Sequence, residues 1–216
     1  MEPDEYFSGH YDQWRHARYN KIVALLGADF FRGQSLLELG CGFGDFGMMF
    51  VNLGADVTFA DGREDHLLVF RTSHGGHDSL VIDQDTKWDL DRQFNYVLHS
   101  GVLYHLQNWQ QDLTQAIKHT KTLMILETEV ANSNDDSYEY KNKETGYDQA
   151  LNGVGIRPSA AYIEKHLRSL GATFQRYDDA DLNTQYHRYD WVVDEQEKPF
   201  AGSYCRRFWL VFPQPK

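Results

Sequence analysis

The stretch SLLELGCGFGDFG, Ser35 to Gly47, sets four glycines within eight residues directly behind an apolar run. Glycine loses more freedom on folding than any other residue, so a cluster like this belongs where the backbone turns tightly or comes close to something. Leu36, Leu37 and Leu39 read as a short buried strand. Gly40, Gly42 and Gly44 spell G-x-G-x-G. Phe46, Met49, Phe50 and Leu53 then fall at i, i+3, i+4 and i+7, the apolar stripe of a helix, and Gly54 closes it. Strand, glycine turn, helix is the setting in which such a motif holds a nucleotide-like ligand. A purely structural turn is the other use of the same pattern.

The next segment favours the ligand. ADVTFAD, Ala55 to Asp61, reads as a second strand, and its closing acid stands 21 residues after Gly40. An acid there can accept both hydroxyls of a ribose. A dinucleotide fits poorly. Glu38 precedes the glycines and repels phosphate, and the spacing is G-x-G-x-G in place of G-x-G-x-x-G. A cationic adenosyl ligand without phosphate suits this acidic rim.

LLELGCGFG resembles the first motif of the class I S-adenosylmethionine-dependent methyltransferases, and Asp61 matches that family's ribose acid. LVIDQDTKWDLDRQFNYVLHSGVLYHL is similar to the family's third and fourth strands, with Asp83, followed by Gln84, at the position that meets the adenine amino group. Asn95 stands where the family most often has Asp. The resemblance runs from Leu36 to Leu126. It implies an α/β fold: a seven-stranded, mostly parallel, doubly wound sheet with helices on both faces and an antiparallel last strand. It also implies S-adenosylmethionine as cofactor, held by Glu38, Gly40, Cys41, Gly42, Gly44, Asp61, Gly62, Arg63, Asp83, Gln84 and His99. Arg18, on a helix expected over Asp12 to Leu26, and Tyr11, just before it, are candidate caps, the tyrosine over the sulfonium and the arginine on the methionyl carboxylate. A solvated basic face is the alternative for Arg15 and Arg18.

The 216 residues suit one domain. The expected parts are an N-terminal helical cap (1–34), a cofactor-binding core (35–130) and two substrate-side excursions (131–157 and 178–204). A net charge of −11 argues against broad nucleic-acid or anionic-membrane binding, since phosphate contacts need clustered Lys and Arg. No run reaches membrane-spanning length, and Met1 to Tyr11 lacks a signal-peptide pattern. Cys41 and Cys205 read as reduced thiols, so the expected location is cytoplasmic. His74 and His77 have no acid or Cys cluster at ligand spacing beside them, and no metal is expected. The sequence leaves the oligomeric state unknown.

Methyl transfer needs alignment, and a base only when the nucleophile arrives protonated. Three histidines are candidates: His99 at the end of the fourth strand, His105 in the VLYHL turn and His187 in QYHRYDW. His187 is the preferred base, because its excursion is expected to overhang the rim; for His105 a structural role is the competing reading. Glu127 and Glu129 share a face of the fifth strand and can orient an amine or a hydroxyl. The stretch 131–155 reads as a long polar and aromatic loop that closes as a lid, followed by a helix starting at Pro158. The segment after the fourth strand is HSGV, not the Asn/Asp-Pro-Pro-Tyr of DNA amino-methylating enzymes, and no Pro-Cys dipeptide supports a cysteine nucleophile. The aromatics of the two excursions, Tyr138, Tyr140, Tyr147, Tyr186, Tyr189, Trp191 and Tyr204, favour a sugar face or ring, so the expected acceptor is a small molecule, a sugar or natural-product hydroxyl. An amine acceptor, or a non-catalytic binding partner, is the alternative.

Overall fold

Leu36 and Leu37 are both fully buried, yet neighbours along a strand point to opposite faces of a sheet. Both faces must then be covered, which is the condition for a parallel sheet. The computed structural model, which describes residues 10–197 and 205–214, has this arrangement. Strand β1 (Ser35–Leu39) sits near the centre and pairs in parallel with β2 (Asp56–Asp61) and β4 (Phe94–Ser100). The full order is β3-β2-β1-β4-β5-β9-β8, with β3 Ser79–Val81, β5 Thr120–Glu129, β8 Thr173–Tyr177 and β9 Arg206–Phe212. The chain's last strand, β9, runs antiparallel to both β5 and β8. The chain winds outward in both directions from β1 and β4, and the C-terminal strand ends at such a switch point line a ligand crevice.

Two apolar clusters cover the faces. On one, Leu37, Leu39, Val97, Met124 and Trp209 pack against α4 (Trp109–Lys118) and α5 (Ala160–Ser169) through Trp109, Leu113, Ile163 and Leu167. On the other, Leu36, Phe59, Leu98 and Ile125 meet Ile22 of α1 (His10–Leu26), Phe46 and Phe50 of α2 (Asp45–Val51), and Leu67 and Phe70 of α3 (Glu64–Ser73). Each such fully buried side chain contributes about 1.5–3 kcal/mol. In α1 the buried face runs Trp14, Arg18, Ile22. An arginine in that stripe requires a buried partner.

Two local expectations are corrected. Residues 131–155 are not one irregular loop: β6 (Glu139–Lys143) and β7 (Val154–Pro158) form an antiparallel hairpin. Its first strand, EYKNK, lacks the apolar alternation that would mark it. Pro158 ends β7 instead of starting a helix. Ser159 caps α5, its hydroxyl accepting from the Tyr162 N–H at 3.0 Å. Tyr204, the 198–204 part of the second excursion, and residues 1–9 of the signal-peptide reading lie outside the described residues. Among the described residues no helix is long and apolar enough to cross a membrane.

Candidate active site

The glycine turn leaves β1 with Gly40, Gly42 and Gly44 at φ +67°, +56° and +84°. A Cβ on Gly40 would stand 2.7 Å from the Val102 side chain, and one on Gly44 would strike Phe70. The turn is therefore pressed between two elements while its backbone borders a cavity of about 170 Å³. Asp61, at the tip of β2, accepts from the N–H groups of Gly42 and Arg63, each at 2.8 Å. Carboxylate oxygens have further lone pairs, so Asp61 braces both turns and still offers acceptors to the cavity.

Glu38 borders the same cavity and is 4% exposed. Its Oε2 has no hydrogen-bond partner among the described residues. Burial pushes this carboxyl well above the usual range, with Asp45 and Asp61 adding to the effect against Arg18 and the Gly47 N–H. A buried acid short of a partner fits a ligand's ammonium group. Arg18 is held by Ser100 and Glu127 through Nη1 and by the Trp14 carbonyl through Nε. Glu127, fully enclosed, also pairs with Arg206 at 3.1 Å and accepts from the Tyr189 hydroxyl at 2.9 Å. This network holds the arginine on the cavity lining with the glycine turn, and Nη2 has no hydrogen-bond partner among the described residues.

The far end is aromatic. Tyr11, Trp14, Tyr104, His105 and Leu106 line it. The Tyr11 hydroxyl donates to Asp148 at 3.0 Å, and that of Tyr104 accepts from Arg206 at 3.1 Å. Burial raises both phenols, Tyr11 further through Tyr104 and Asp148. The Cys41 thiol is also pushed up, by burial and then by Glu38 and Asp61. None of the three is a base at neutral pH. His105 also lines the cavity; its Nδ1 meets the Glu144 carboxylate at 2.5 Å, and its Nε2 has no hydrogen-bond partner among the described residues. Glu144 is enclosed and pairs with Arg157, which reaches Glu129 at 3.3 Å. The hairpin tip bridges to the cofactor end: Arg63 donates to the Gln149 carbonyl at 2.9 Å, Tyr147 to Asp65 at 2.7 Å and Asn152 to Asp85 at 3.1 Å.

Of the residues expected from sequence, Tyr11, Arg18, Glu38, Gly40, Cys41, Gly42, Asp61, Gly62, Arg63, Asp83, Gln84 and His105 come together around this cavity. The side-chain amide of Gln84 is turned to Asp112. Gly44 does not line the cavity; it is required by Phe70. His99 is corrected. It is wholly buried and its Nε2 meets Asp112 at 2.6 Å, because strand parity turns it with Val97 toward α4, while Ser100 turns with Leu98 toward α1. His187 is corrected too. It is 5% exposed and stacks on Trp14 at 4.4 Å, outside the cavity lining. Glu127 and Glu129 are paired with arginines and do not line the cavity.

Sequence reasoning missed Glu144, Arg157, Tyr104 and Arg206. The paired arginines opening RRFWLVF were a readable signal, since charges inside an apolar strand call for buried counter-charges. Glu144 had none, lying in a polar stretch.

A methyltransferase domain family model matches residues 11–196. No curated protein matches the chain. Among solved structures, the DhpI complex with SAM and HEP superposes with a TM-score of 0.66 at 16% identity, covering 97% of this chain and 90% of that one. The N-terminal domain of EvdMO1, in the presence of SAH and D-fucose, gives 0.65 at 19% identity, covering 97% and 85%. Magnesium protoporphyrin IX methyltransferase from Synechocystis with bound SAM gives 0.61 at 16% identity, covering 97% and 94%. At these identities the likeness is one of fold.

Proposed function

Because the chain belongs to the methyltransferase domain family, we propose that it methylates a hydroxyl of a small neutral molecule, a sugar by preference, with S-adenosylmethionine as donor. The cavity residues fit that cofactor. Glu38 suits its ammonium group, Arg18 its carboxylate, Asp61 its ribose, and Asp83 its adenine amino group, with the Gly40–Gly44 turn beneath. When bound, the cofactor supplies a methyl group on a sulfonium, whose carbon–sulfur electron pair stays with sulfur as the bond breaks.

The observation that carries the hydroxyl reading is His105. An alcohol must lose its proton as its oxygen gains the methyl group, and His105, on the cavity lining with Nδ1 held by Glu144, supports a base that takes it at Nε2. Such a base is worth about 10²–10⁴-fold. Alignment between Tyr11, Tyr104 and Leu106 supplies the rest, and well-oriented reactants gain about 7–11 kcal/mol. Asp45, Asp61, Asp83, Asp85 and Asp148 outnumber the guanidinium groups of Arg15, Arg18 and Arg63 on the lining, which disfavours an anionic acceptor. D-fucose beside the fold-related EvdMO1 domain agrees with a sugar. The amine alternative loses its support with Glu127 and Glu129 tied to arginines.

Calorimetry with SAH, the demethylated product, tests the cofactor half. Labelled-methyl transfer to pooled monosaccharides, phenols and amines tests the rest. Transfer to amines alone replaces O-methylation with N-methylation. SAH binding with no transfer to any pool makes the protein a binding partner.

A further inference from the structure

Glu144 lies 39 residues from His105 in sequence and reaches it from the hairpin. Its side chain is wholly enclosed, a setting in which a carboxylate persists only with partners. It has three. Oε2 receives the His105 Nδ1 and the Ala150 N–H, the latter at 2.9 Å, and Oε1 faces Arg157. Burial alone would raise this carboxyl, but His105 and Arg157 outweigh it and hold it low. An ionised carboxylate has no proton to give, so the proton between the two groups sits on Nδ1. Beyond Arg157 stands Glu129, whose Oε1 is 3.3 Å from Nε. The chain Glu129, Arg157, Glu144 therefore carries one net negative charge, and an imidazolium at its end brings it to zero.

On the hydroxyl-methylation reading above, we infer that Glu144 is the positioning residue of the reaction: it fixes His105 with its proton on Nδ1 and its lone pair on the cavity, and it stabilises the cation formed when Nε2 takes the acceptor's proton. An isolated imidazole prefers the opposite tautomer, which would turn an N–H toward the acceptor and leave nothing to receive a proton. The carboxylate rides on the hairpin whose tip meets Arg63, Asp65 and Tyr11, so the base is complete only with that hairpin in place.

The decisive measurement is the ¹⁵N ring spectrum of His105 in the SAH-saturated protein, which needs no acceptor. Wild type is expected to show Nδ1–H with bare Nε2. Glu144→Ala should pass most of the population to Nε2–H. Glu144→Gln, whose amide oxygen still accepts from Nδ1, should keep the wild-type tautomer. Transfer to pooled monosaccharides should fall about 10²-fold in Glu144→Ala and about tenfold in Glu144→Gln, with SAH affinity unchanged. A purely structural Glu144 would change stability or SAH affinity and leave the tautomer alone. Nε2–H in wild type, or an unmoved tautomer in Glu144→Ala, overturns the inference. Should Glu144→Ala lose SAH binding, Glu144→Leu with Arg157→Met removes both charges together and carries the same test. Wild-type transfer by His105→Gln defeats the functional reading. Transfer lost in His105→Gln but retained in Glu144→Ala defeats this inference alone.

Discussion

The two polar, aromatic excursions look alike in sequence and do opposite things in the fold. Residues 131–157 form a hairpin that puts Asp148, Gln149 and Leu151 on the cavity and Glu144 on His105. In the described part of the second excursion, residues 178–197, two rings turn inward. Tyr189 is fully buried, its hydroxyl bridging Trp14 and Glu127, and His187 stacks behind Trp14. One excursion builds the wall of the site and the other props up the wall's support. Aromatic content therefore does not mark an acceptor surface; what matters is whether a ring's polar end finds a buried partner or open space.

The sharpest way to break this contrast is a pair of histidine variants. His105→Gln should lower single-turnover methyl transfer by roughly 10²–10⁴-fold with SAH affinity kept, while His187→Gln stays within a few-fold of wild type. Equal losses in both would return the base to the second excursion. Next in size is Tyr189→Phe, which leaves the Trp14 indole N–H without its buried acceptor and takes one of two donors from Glu127 Oε1. It should destabilise the fold by about 1–3 kcal/mol in a denaturant titration, whereas Tyr147→Phe, which loses an exposed bond to Asp65, stays below about 0.5 kcal/mol. Asp61→Ala should weaken SAH at least tenfold, about 1.4 kcal/mol, by calorimetry. Unchanged affinity in the folded variant would remove the ribose contact.

A smaller effect separates the unpaired acid from the paired ones. Glu38 has its folded-state pKa raised by burial, so its contribution is fully present below the unfolded value of about 4.3 and is lost as pH rises toward the folded value. Glu144 is held low, so its contribution is present above the unfolded value and lost as pH falls through the folded one. Glu38→Gln should therefore raise the melting temperature of the SAH-free protein at pH 8 and leave it nearly unchanged at pH 4. A melting curve that responds equally at both would show Glu38 already ionised. Finally, SAH should slow hydrogen exchange across residues 139–157 more than across 180–194; equal protection of both would deny the hairpin its closing role.

The cofactor end was legible because its parts are contiguous. Leu36 to Leu53 carries strand, turn and helix within one short run, and Asp61 ends the next strand, so period and spacing sufficed. The acceptor end was not. His99, His105 and His187 are each a histidine beside aromatics or at a strand end, and nothing local ranks them. The EYKNK strand escaped notice because its pairing with β7 is by backbone and its side chains lack alternation.

By itself the sequence determined the doubly wound sheet, the glycine turn and the acids around it, since hydrophobic period and glycine placement act between near neighbours. Only the tertiary structure decided which histidine faces the cavity. That choice depends on strand parity, which sends His99 to Asp112, and on partners far apart along the chain: Arg18 and Glu127 are 109 residues apart, Trp14 and Tyr189 are 175, and His105 and Glu144 are 39. A buried charge takes the counter-charge that packing brings to it, and no local pattern encodes that meeting.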